Sequence, residues 1–325
     1  MKFSRLGLCA FWLSAVVGLS GCGQSQPAIQ SPNGAPQATP FASSDVAAPS
    51  AGWLSAVART PKTSEPIIYV SHDGVALYPE TGGKKAVGRI AEGVDGAYGL
   101  YVDQNGTLYV ANAGDRTVTA YPAGSKSYSM KWSQDLGGPL YPIVDSKGDL
   151  FVSNSGNGTV VEYLTGSTNA YQVLQTPGVE ADGMDFDAEG DLYVAYRTGD
   201  CSTCGGIEEF PAKSTQGQIL GMVLNQPQGL IVDSNNDILV VETGTTDRID
   251  LFEPGEQTPS QEVPAPSRYV FVQLAIEANE TELFVSANEG AVFMTAYPFP
   301  TSPTLDNLIS IHKIQGIALS NGQTF

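Results

Sequence analysis

The chain has 325 residues, with 16 Lys or Arg against 34 Asp or Glu, a net charge of −18 at pH 7. Nucleic-acid binding relies on clustered Lys and Arg that displace counterions, so this balance excludes that partner and disfavours docking on an anionic membrane face. Length allows two domains or one large all-β domain, and the four cysteines, at 9, 22, 201 and 204, form two separate groups rather than one disulfide framework.

The chain opens with MKFSR, which supplies Lys2 and Arg5 as a positive segment, followed by LGLCAFWLSAVVGL, 14 uncharged residues from Leu6 to Leu19. That is the length of a signal-peptide core and short for a bilayer span. LSGC follows, Leu19 to Cys22, and closely resembles the bacterial lipoprotein box. The resemblance implies cleavage before Cys22, a diacylglyceryl group on its thiol and a further acyl chain of the palmitate kind, two chains giving durable anchoring. Gly23 stands where an Asp would resemble an inner-membrane retention signal, so the outer membrane is favoured if the cell is Gram-negative. From there to residue 65 the chain is rich in Pro, Ala, Ser, Gln and Gly without apolar periodicity, the composition of a disordered tether. The expected organisation is a signal peptide over 1–21, a lipidated cysteine and tether over 22–65, and a folded head over 66–325.

Within the head, DQNGTLYVAN at 103–112 raises two readings: a calcium loop or a tight turn entering a strand. An EF-hand loop wants alternating oxygen ligands with Gly at its sixth position, whereas Gly106 is fourth. The stretch also recurs with other charges, as VDSKGDLFVSN, FDAEGDLYVAY and VDSNNDILVVE. A hairpin turn explains this, since Asp bonds backbone two residues on and Gly accepts positive φ. The turn-opening residues are Asp103, Asp145, Asp187, Asp233, Glu277 and Ser320, at intervals of 42, 42, 46, 44 and 43. That is the blade period of a β-propeller. Asn105, Asn157 and Asn279, each in an Asn-x-Thr triplet, are turn residues on this reading.

Each unit reads as four short strands, a to d. The last unit stops after its strand a, and the missing strands stand at the head's start: IIYVSH matches strand b, VALYP strand c and KKAVGRI strand d. The expected fold is therefore all-β, a six-bladed β-propeller of four-stranded antiparallel blades whose last blade is closed by both termini. That closure also removes free strand edges. The Val-Asp, Gly, Leu-Tyr-Val-Ala-Asn and Arg-Ile positions resemble NHL-repeat propellers and the YVTN-type repeats of bacterial surface proteins. Such a resemblance speaks to fold and leaves function open.

In propellers of this kind the d-to-a and b-to-c loops surround one mouth of the central channel. The resemblance thereby nominates the strand-b ends His72, Asn112, Asn154, Tyr196, Glu242 and Ala287, and the strand-a starts Tyr98, Tyr141, Asp182, Gln228, Gln273 and Gln315. Of these, Tyr98, Asn112, Tyr141, Asn154, Asp182, Tyr196, Gln228 and Glu242 form the candidate ligand set. A rim of aromatic, amide and acid groups suits a polar small molecule, a saccharide or a protein end; equally, Asn and Asp close turns while tyrosines fill gaps.

His72 and His312, the only histidines, both fall on the shared blade. With Glu242 or Asp182 nearby they could hold a divalent cation or serve acid–base chemistry. Similar propellers include streptogramin lyases, with a catalytic His and a cation, and gluconolactonase-like hydrolases with an Asn, Asp and Glu calcium site. The lyase's paired His and Glu spacing is not reproduced here, and nothing else in the chain calls for a cofactor. Cys201 and Cys204, in GDCSTCGG, lengthen a b-to-c loop. Outside the cytoplasm a structural disulfide is favoured over a redox pair, and a zinc site would need two more ligands. The leading expectation is an extracytoplasmic binding or scaffold protein, with a metal-assisted lyase or hydrolase and a structural envelope protein as alternatives.

Overall fold

The computed structural model describes residues 66–201 and 203–320, so the expectations for 1–65, Cys22 among them, lie outside the described residues. Among the described residues there are strands and turns and no helix. The chain begins with β1 (Ile67–Ser71), β2 (Val75–Pro79) and β3 (Gly88–Ile90). The first complete blade holds β4 (Ala97–Val102), β5 (Leu108–Asn112), β6 (Thr117–Tyr121) and β7 (Met130–Trp132). The second holds β8 (Pro139–Val144), β9 (Leu150–Asn154), β10 (Thr159–Tyr163) and β11 (Gln172–Gln175). In the third come β12 (Glu180–Phe186), β13 (Leu192–Arg197), β14 (Gly205–Phe210) and β15 (Gln218–Ile219). The fourth has β16 (Pro227–Val232), β17 (Ile238–Glu242), β18 (Arg248–Phe252) and β19 (Gln261–Pro264). The fifth has β20 (Phe271–Ile276), β21 (Glu282–Ala287), β22 (Ala291–Ala296) and β23 (Asp306–Ser310). Finally β24 (Ile317–Leu319) pairs antiparallel with β1, completing a sixth four-stranded sheet in the order β24-β1-β2-β3. The fold is a six-bladed β-propeller.

The repeated turn behaves as a turn. Asp103 Oδ1 accepts the amides of Asn105 at 2.9 Å and Thr107 at 2.8 Å. Asp145 does the same for Lys147 and Asp149, and Asp233 for Asn235 and Asp237. Each carboxylate thus satisfies amides that the hairpin leaves unpaired, which is why Asp recurs while its neighbours vary.

Six valines at one equivalent position of strand b, Val70, Val110, Val152, Val194, Val240 and Val285, are each fully buried. The core is divided into six clusters, each bridging two neighbouring blades, as where Trp132 and Val118 of the first meet Val152 and Tyr163 of the second. No blade buries its own faces alone, so the ring stands or falls as a unit. The joint between the chain ends is reinforced by two serines. Ser71 Oγ accepts the amides of Gly316 at 2.6 Å and Gln315 at 3.1 Å, and Ser320 Oγ accepts that of Ile67 at 2.9 Å.

Candidate functional site

The innermost strands surround the axis, and aligning each on its turn residue shows which positions face inward. Two residues before the last pleat, the six blades carry Gly99, Tyr141, Gly183, Gly229, Gln273 and Gly316. None of these glycines has a positive φ, so space explains them. A Cβ on Gly316 would lie 2.1 Å from Tyr98 O, one on Gly183 2.3 Å from Leu230 N, and one on Gly99 2.3 Å from Leu140 O. The four glycines let neighbouring strands close in, and the two large side chains fill what remains.

That layer is tied across the axis. Tyr141 Oη donates to Val272 O of the opposite blade at 3.2 Å. Gln273 donates through Nε2 to Leu100 O at 2.7 Å, while its Oε1 accepts the amides of Leu100 at 3.1 Å and Ile317 at 3.2 Å. Above them Tyr98 Oη donates to Gln228 Oε1 at 3.1 Å, again between opposite blades, and stacks edge-on against Tyr141 at 5.6 Å. A register shift in strand a of each of the five complete blades aims these residues inward. The open polar funnel expected at this mouth is thus filled: Tyr98, Tyr141 and Gln228 are its stopper. Burial, with the negative charge of Asp182 second, pushes the Tyr98 hydroxyl up to about 12.

The strand-b ends turn their polar atoms inward to the backbone. Asn112 Oδ1 accepts the Asp95 amide at 3.1 Å and its Nδ2 donates to Thr119 at 3.0 Å. Asn154 accepts the amide of Gly137 at 3.2 Å and donates to Thr159 at 3.1 Å. Glu242 repeats the motif with a carboxylate, accepting Asn225 N at 2.7 Å and pairing with Arg248 at 2.6 Å. Asp182 is wholly buried and receives Arg197 Nε at 2.9 Å, Arg197 also pairing with Glu180. Tyr196 is buried over Gly206. Of the nominated rim, Asn112, Asn154 and Glu242 bind the d-to-a loops of their own blades.

His72 and His312 line one cleft of about 450 Å³ together with Asp73, Lys313 and Gln315. Topology brings them together across 240 residues, as the shared blade requires. Glu242 and Asp182 do not line that cleft, and among the described residues no group of three His, Cys, Asp or Glu side chains is arranged to hold a metal ion. The expected set of two histidines with Glu242 therefore does not assemble. Cys201 and Cys204 are joined by a disulfide in the b-to-c loop between β13 and β14.

Among the concave features of the opposite face, formed by the a-to-b and c-to-d turns, two bear on binding. One is a groove of about 420 Å³ between the second and third blades, lined by Asp149, Glu162, Tyr171, Gln172, Phe186 and Glu189 among others. Tyr171 is 61 % exposed there, beside Glu162, which accepts a hydrogen bond from Gln172. The other is the channel below the stopper, about 190 Å³, walled by all six innermost strands. Its inward layer is Tyr101, Ile143, Asp185, Ile231, Ala275 and Ala318. Neither feature was legible as a motif: the groove joins residues of two blades, and Asp185 stands at a position occupied elsewhere by Tyr, Ile or Ala.

No family model matches the chain, and no curated protein sequence matches it. Solved structures do. A chain of the nidogen–laminin complex is 17 % identical, with a TM-score of 0.64 over 79 % of this chain and 99 % of that one. The hydrazine synthase of Kuenenia stuttgartiensis is 12 % identical, with a TM-score of 0.58 over 78 % and 86 %. A streptogramin B lyase is 12 % identical with a TM-score of 0.49, covering 74 % and 72 %. At such identities the first two speak to the propeller fold alone, and the third is too distant to carry an argument.

Proposed function

We propose that this protein is a binding head of the NHL/YVTN-type propeller class, held outside the cytoplasm at a bacterial membrane by lipid on Cys22. The address rests on the LSGC box behind its positive and apolar segments. Of the residues nominated for chemistry, His72 and His312 share a cleft that Glu242 does not line. The observation that carries the reading is the groove between the second and third blades, where the exposed Tyr171 ring lies beside Asp149, Glu162 and Gln172. A sugar presents C–H faces that stack on such a ring and hydroxyls that donate to carboxylate and amide oxygens. An uncharged saccharide also approaches a protein of net charge −18 without repulsion.

Binding of the full chain to an array of neutral oligosaccharides tests this. Wild type should bind, and Tyr171→Ala should lose at least tenfold in affinity with unchanged melting; equal binding by the variant removes the groove from consideration. Separately, Cys22→Ser should move the protein from the membrane to the soluble fraction and abolish fatty-acid labelling. Retention on the membrane would refute the anchor.

A further inference from the structure

The channel below the stopper carries a site of its own. The exposed surface of its wall is polar and apolar in about equal parts, and the aliphatic side chains of Leu100, Ile143, Ile231, Leu274 and Ile317 contribute no charge. Into this wall projects one carboxylate, Asp185, and no Lys, Arg or His lines the cavity with it. Asp185 Oδ1 accepts the Phe186 amide at 2.9 Å and Oδ2 the Val232 amide at 3.1 Å. Two backbone donors hold the carboxylate in place, yet among the described residues no cation pairs with it. A buried ionised group without a counter-ion is expensive, and the equivalent positions of the other blades carry Tyr, Ile or Ala.

The turns that follow the innermost strands of the five complete blades carry Asp103, Asp145, Asp187, Asp233 and Glu277, and none of these lines the cavity itself. Of these, Asp145 is paired with a lysine, Lys147. A net charge of −18 favours the approach of a cation over that of an anion. The upper end is shut by Tyr141 and Gln273, so entry is from the turn face. The volume, about 190 Å³, is somewhat larger than an engineered cavity of ~150 Å³ that takes up one benzene, which suits one small organic molecule.

From the lone carboxylate and the aliphatic side chains that share its cavity, we infer that the lower channel binds a small primary ammonium with a short aliphatic body, Asp185 serving as its counter-ion. The ammonium pairs with Asp185, the hydrocarbon lies against Ile143, Ile231 and Leu274, and Tyr101 offers a ring for cation–π contact. This site is separate from the saccharide groove, and neither depends on the other. Burial pushes the Asp185 carboxyl up to about 7, so it is charged above that pH and neutral below. The other titratable groups lining the cavity are Tyr101 on β4 and Tyr141 on β8, both held protonated by burial; β16, β20 and β24 contribute none.

Calorimetric titration of the full chain with n-butylammonium and with neutral n-butanol, at pH 8.5 and pH 5.5, tests the inference. The ammonium should bind at pH 8.5, weaken at least tenfold at pH 5.5 and at least tenfold in Asp185→Asn, while butanol binds weakly at both. A second variant, Ala275→Leu, fills the cavity without touching the charge and should abolish binding with melting unchanged or raised. Equal affinity for ammonium and alcohol, no ammonium binding at pH 8.5, or undiminished binding in Ala275→Leu would each overturn it.

Discussion

The two layers of the channel are built from the same six strands by opposite means. In the upper layer four glycines admit Tyr141 and Gln273, whose hydrogen bonds run between distant blades and leave no opening. In the lower layer every position has a side chain, two of them only alanine, and an unfilled cavity remains around Asp185. Closure of the axis therefore depends on pairing large residues with glycine rather than on average side-chain size. One layer holds the ring together, and the other leaves room for a guest.

Substitutions should expose that asymmetry. The largest effect belongs to Gly316→Val, whose Cβ would sit 2.1 Å from Tyr98 O and 2.7 Å from Gln273 Oε1. Neither backbone nor plug can retreat, so a loss above about 4 kcal/mol is expected, seen as failure to give folded soluble protein. Tyr141→Ala removes the buried stopper and should destabilise by about 3–5 kcal/mol in urea titrations, the range for large core aromatics. Gln273→Ala strands the amides of Leu100 and Ile317, a loss of roughly 1–3 kcal/mol, and should speed exchange of the Ile317 amide at the ring closure. In the lower layer Ala275→Leu should leave stability within about 1 kcal/mol, since it fills space already present.

The pH dependence sharpens the contrast further. Burial raises Asp185 and Glu208 to about 7, well above the usual Asp and Glu values of about 4. A carboxyl that binds its proton more tightly when folded stabilises the fold while protonated. The contribution is complete below about pH 4 and is lost as pH rises through about 7. Melting temperature should accordingly fall between pH 5 and pH 8, and Asp185→Asn should flatten that slope. Tyr171→Ala, in the exposed groove, should shift stability by no more than about 0.5 kcal/mol.

What could be read from the chain beforehand follows from which interactions repeat. The turn-opening residues from Asp103 to Ser320 recur every 42 to 46 residues, so each copy supports the reading of the others and of the blade split between the two ends of the head. The pairing of His72 with His312 in one cleft follows from that topology alone. The stopper does not repeat. Tyr98 meets Gln228 and Tyr141 meets Val272 across 130 and 131 residues, and nothing local marks them as partners. Likewise Asn112, Asn154 and Glu242 have the chemistry of a ligand rim, but each meets a backbone amide of its own blade. Residue type identified polar positions, whereas only the folded register determined which way they faced.

The direction of access to the channel gives the most direct test. With Cys9 and Cys22 replaced by serine and Cys201 and Cys204 joined as a disulfide, Ala275→Cys supplies a single thiol in the lower layer. A small cationic thiol reagent should label it in the folded protein, at a rate little changed when Tyr141→Gly opens the upper end. A thiol that stays silent until Tyr141 is truncated would show that the channel opens the other way.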